Sequence, residues 1–138
     1  MLHRTIIGIV LIMLGSVNAP LQAQVALPNS PTAVELAALP RECRSKVLGR
    51  ASPQLEAEWN LYEARHGREV WLHYHHYCFA LNFMNRTPLA SLKKDKRYNL
   101  GRAIGNFDYV LRHWPPNTPL RPLAENGKRQ AEFMIKLL

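Results

Sequence analysis

The chain has 138 residues, 47% of them apolar, and carries 18 Lys and Arg against 10 Asp and Glu. That length holds one domain and excludes large enzyme scaffolds such as the (β/α)₈ barrel. The apolar share excludes wholesale disorder.

The first 23 residues read as a leader rather than as part of the fold. Arg4 precedes an apolar run, Ile6 to Val17, and a small, polar stretch follows it. Twelve apolar residues are too few to span a bilayer, where about 20 are needed. Pro20 disfavours cleavage after Ala19, so cleavage is expected after Ala23, with the mature chain starting at Gln24. No Cys follows the run, which argues against a lipoprotein. The leader takes only Arg4 from the charge count, so the mature chain keeps 17 basic and 10 acidic groups. Export to a bacterial periplasm makes nucleic acid an unsuitable partner for that charge. Anionic lipid, cell-wall polymer or an acidic protein surface fits better, and a merely solvated basic surface is the alternative. In an oxidising compartment the two cysteines, Cys43 and Cys78, suggest one disulfide, the alternative being two separately buried thiols.

Residues 24–31 read as a flexible lead-in to a single helical domain spanning 32–138. Thr32 and Glu35 have the spacing of a capping box, which predicts a short helix from Ala33 to Leu39, stopped at Pro40. Glu42 to Gly49 has room for another turn or two. Ser52-Pro53 is a helix start, with Leu55, Trp59 and Tyr62 on one face and a break at Gly67.

Glu69 to Arg86 contains neither Pro nor Gly and is apolar nearly all round. Val70, Tyr74, Tyr77, Leu81 and Met84 form one stripe, and Leu72, Phe79 and Phe83 form another. A helix apolar on two sides is expected to lie between other helices. Thr87 to Arg97 reads as a basic connecting loop. Tyr98 to Trp114 is amphipathic, with Leu100, Ala103, Ile104, Phe107, Val110, Leu111 and Trp114 inward, and Pro115-Pro116 ends it. Pro122 opens a last helix with Leu123, Gly127, Ala131, Met134 and Leu138 on its inner side. With no strand-like alternation, the expected fold class is all-α.

Ala103, Ile104, Phe107, Val110, Leu111 and Pro115 resemble the second helix of a tetratricopeptide repeat, with Val110 where that family usually has Ala. The preceding helix is similar to the repeat's first helix, with Phe79, Ala80 and Phe83 at the usual relative spacing. It departs from the pattern at Ala80, where Gly is common, and at His76, where an aromatic is common. The resemblance covers residues 70–138 and implies a helical hairpin with a C-terminal capping helix. The basic insertion at 87–97 would widen that hairpin. One such hairpin cannot bury its own apolar face, so the N-terminal helices, a second copy or a larger complex must cover it. The family implies protein or peptide binding rather than chemistry.

The sharpest polar feature is the histidine run at 73, 75 and 76. Glu69, His73 and His76 share a helical face at i, i+4 and i+7, a donor set suited to a transition metal. It is not H-E-x-x-H, and no C-x-x-C-H motif supports haem attachment. The alternative places these histidines in helix contacts, and the expected state is no cofactor. Lys93, Lys94, Lys96 and Arg97 are candidate contacts for an acidic partner or lipid head groups, or else a solvated loop. There is no G-x-S-x-G, Gly-rich phosphate loop or suggestive carboxylate pair, so no enzyme activity is expected. The functional expectation is an exported adaptor that helps assemble an envelope complex. The alternative is a small metal- or cofactor-binding protein.

Overall fold

The structure is a computed structural model and describes residues 30–138. The expected leader and most of the lead-in lie outside those residues. Six helices and no strand make up the described residues, which is an all-α fold.

The short helices start and stop where local chemistry demands. In α1 (Ala33–Ala37) the Thr32 hydroxyl accepts from the Glu35 amide, and the Glu35 carboxylate accepts from the Thr32 amide. Helix α2 (Arg41–Leu48) ends at Gly49, whose φ of 70° lies where a side chain would be strained. The Ser52 hydroxyl caps α3 (Pro53–His66), and Pro53 occupies its first turn. Gly67, at φ 82°, turns the chain directly into α4 (Arg68–Arg86).

Helices α4 and α5 (Lys93–His113) form an antiparallel hairpin, and α6 (Arg121–Lys136) lies against α5. Phe83, Leu100, Phe107 and Val110 are sealed between the helices, where fully buried Ala80 and Ala103 permit close approach. The hairpin's open end is closed by Trp114, whose indole N–H donates to the Val70 carbonyl at 3.0 Å. Arg121 donates to the Leu111 carbonyl at 2.8 Å, setting a cation at the C-terminal end of α5.

Two expectations about this region are corrected. The run from Lys93 to Arg97 is not a loop but the opening of α5, and residues 87–92 alone join the hairpin. Nothing after Pro88 forbids a helix: the long charged side chains are good helix formers, and the amides of Asp95 and Lys96 both bond to Leu92. The inner face of α6 carries Gly127, Ala131, Met134 and Leu138 as expected, but it begins at buried Ala124, and Leu123 points outward.

The second side of α4 is covered by α2 and α3. Trp71 is buried among Trp59, Tyr62, His66 and Tyr74, with ring centroids 5.1–6.2 Å away. The Lys46 ammonium sits 4.2 Å above Trp59 and 4.9 Å from Trp71, and desolvation pulls its pKa down to about 8. A Cys43–Cys78 disulfide ties α2 to α4, as the paired cysteines suggested. The far stripe of α4 is only partly covered: Phe83 is buried, Phe79 half-buried and Leu72 exposed.

Helix α1 is too short to hold itself and is pinned by an ion pair. Glu35 accepts from Arg86 through both carboxylate oxygens, at 2.5 and 2.8 Å, and Arg86 also reaches the Ser30 carbonyl. Arg86 holds the Glu35 pKa down at about 2.

Two outcomes follow from these anchors. The disulfide spans a separation of 35 residues, so replacing both cysteines with Ala is expected to lower stability by about 3–4 kcal/mol. Denaturant unfolding with and without reductant measures it. For Glu35 the folded pKa lies below the unfolded value, so its stabilisation is complete above about pH 4.5 and is lost as pH falls towards 2. The pair is nearly a quarter exposed, so solvent screening keeps it at about 1 kcal/mol. Glu35→Gln keeps the cap geometry, and its deficit relative to the native chain is expected to vanish across that pH window in thermal melts.

Candidate functional site

Two surfaces on the hairpin gather the polar groups singled out in the sequence. The first is a pair of adjoining clefts at the end where α4 turns into α5. One, of about 290 Å³, is walled by Pro88, Leu100, Met134, Leu137 and Leu138, with Lys96 among its lining residues. The other, of about 360 Å³, runs between α4 and α6 over Phe107 and Gly127. Pro88 and Met134 line both, so the clefts adjoin.

Lys93, Lys94, Lys96 and Arg97 occupy the first two turns of α5, with Lys96 in the lining of the first cleft. Lys93 donates to the Leu138 carbonyl at 2.9 Å, while Lys94 and Arg97 are exposed. These cations stand at the positive end of the helix dipole, with Asp95 the acidic residue of the first turn. Helix stability favours the opposite charge there, so the position concentrates positive potential at the cleft.

The second surface is the outer face of α4 and α5, where imidazoles interleave with aromatic rings. His76 stacks on Tyr109 at 3.7 Å between centroids, and Tyr109 stacks on His113 at 4.0 Å. Two rings that close must lie on opposite faces of Tyr109. His76 Nδ1–H donates to Asn106 Oδ1 at 2.9 Å, and Asn106 in turn donates to the Arg102 carbonyl. His73 Nδ1 lies 3.3 Å from the Tyr109 hydroxyl. Burial pushes the pKa of His73 down, and that of His75 to about 4, so both rings favour the neutral form.

The expected ligand set of Glu69, His73 and His76 is not assembled. His76 is turned onto Asn106 and Tyr109 of α5, on the far face of Tyr109 from His113. Among the described residues no three or more His, Cys, Asp or Glu are grouped to hold a metal ion. His113, absent from the expected ligand set, joins the histidine face, its ring centroid 4.7 Å from that of His73. Its signal was a His one turn after Tyr109 on the same helix face, visible only once α5 is paired with α4.

Comparison of the chain with known protein families, curated proteins and solved structures finds no match.

The floor of the cleft depends on the missing side chain at Gly127. A Cβ there would lie 2.9 Å from Phe107 Cε1 and Cε2, and closer still to Cζ. Gly127→Ala at an unconstrained helical position would stabilise the helix by about 1 kcal/mol. Here it is expected to destabilise by about 1–3 kcal/mol as Phe107 is displaced, a change of sign readable by denaturant unfolding.

Proposed function

We propose that this protein is an exported helical adaptor of tetratricopeptide-like build. In this reading it takes an acidic, amphipathic segment of another envelope protein into the cleft between α4, α5 and α6. The observation that carries the reading is an apolar cleft with Lys96 in its lining and Lys93 bonded to the carbonyl of Leu138, one of its walls. Apolar side chains of the partner fill the cleft, and its carboxylates meet the cations, which set orientation and association rate more than raw affinity.

Supporting features are the antiparallel α4–α5 hairpin with α6 stacked on it, and the disulfide, which suits an oxidising compartment such as the periplasm. No helix among the described residues is long and apolar enough to cross a membrane. In this reading the role is binding rather than catalysis.

Charge reversal separates recognition from folding. Lys93→Glu, Lys94→Glu and Lys96→Glu together are expected to release the protein from its complex in the native compartment, seen as a shift to the free protein on size exclusion. Helical circular dichroism is expected to stay unchanged. Retention of the complex by this triple variant would sink the reading. Vesicles of anionic lipid test the other basic-surface partner, and binding to them that the triple variant loses would replace the protein partner with lipid.

A further inference from the structure

The histidine face contains a two-imidazole pair that the helical stripe of Glu69, His73 and His76 does not describe. His73 on α4 and His113 at the end of α5 have ring centroids 4.7 Å apart, tilted by 41°. Two imidazoles bound through nitrogen to one metal at about 2.0–2.1 Å, at a right or tetrahedral angle, have centroids about 4.5–5.2 Å apart. The observed separation falls inside that range without any movement of the helices.

Tyr109 orients both rings through their inner nitrogens. His113 Nδ1–H donates to the Tyr109 backbone carbonyl at 2.7 Å, which puts the proton on Nδ1 and leaves Nε2 as a bare lone pair. His73 Nδ1 faces the Tyr109 hydroxyl at 3.3 Å, so its Nε2 is again the outward nitrogen. Metal-binding histidines commonly donate the other ring N–H to a carbonyl, which fixes the ring for coordination. His113 is exposed and His73 only half-buried, so the site is open to solvent. Glu69 lies one turn before His73 and supplies a nearby negative charge.

We propose that His73 and His113 chelate one divalent transition-metal ion through their Nε2 atoms, with water completing the coordination. Neutral imidazole suits copper, nickel and zinc, and the general order of affinities places Cu(II) above Zn(II). The site links α4 to α5 at the end of the hairpin opposite the cleft and is independent of the adaptor reading.

Calorimetric titration of tag-free protein with Cu(II) and with Zn(II) in a non-chelating buffer tests it. One equivalent is expected to bind, with Cu(II) the tighter ion. His73→Ala and His113→Ala are each expected to weaken Cu(II) binding at least tenfold, whereas His76→Ala changes it less than threefold. Circular dichroism checks that the variants fold, and His113→Gln stands in if His113→Ala does not. Electron paramagnetic resonance of the Cu(II) adduct is expected to show two imidazole nitrogens. No stoichiometric uptake, undiminished binding by a folded His113 variant, or equal dependence on His76 would overturn the assignment.

Discussion

Everything in this fold depends on covering α4 from two sides. A helix with aromatic residues over most of its circumference cannot be stable beside one neighbour alone, because the uncovered half would leave large rings in water. Helix α5 takes the side of Tyr77, Ala80 and Phe83, and the α2–α3 pair takes the side of Val70, Trp71 and Tyr74. The second cover is the thinner of the two. It relies on a cluster of rings around Trp71, the ammonium of Lys46 and one covalent tie, Cys43–Cys78. The disulfide joins the centre of α4 to α2, so it holds the cover where the hairpin is most apolar.

Close approach of helices then decides where the surfaces lie. Ala80, Ala103, Ala124 and Ala131 are all fully buried, and Gly127 meets the Phe107 ring directly. These small residues draw α5 against α4 and α6 against α5. The larger side chains Leu81, Met84 and Met134 are left lining the space between α4 and α6. That space is the cleft. It is a consequence of residue size along α6 rather than of a loop insertion, and its charged neighbours come from the first turns of α5.

Much of this was legible in the sequence because its punctuation is strong. Thr32, Ser52-Pro53, Gly67 and Pro115-Pro116 each act through backbone geometry or a single hydrogen bond, and each marks an element boundary within a residue or two. Lys93 to Arg97 misled for a definite reason. Periodicity reads burial, and an exposed first turn has none to read, so its helical state rests on propensity and the Leu92 carbonyl. On α6 only Leu123 was misplaced, because it outweighs Ala124 in hydrophobicity, yet a helix packed at close range prefers the smaller residue inward. The histidine face was half legible. Spacing put His73 and His76 on one stripe, but which nitrogen faces which neighbour is set by Asn106 and Tyr109 on another helix.

The last helix bears on why a binding role suits this architecture. Helix α6 leaves Leu123, Phe133 and Leu137 more than half exposed. Leu137 is also a wall of the cleft, so the exposed apolar surface and the cleft meet at the end of α6. Burying such side chains is worth about 1.5–3 kcal/mol each. A partner that covered this end would gain apolar burial from α6 and the cleft together. The cations of α5, standing against their own helix dipole, would then contribute to the complex what they withhold from the isolated helix.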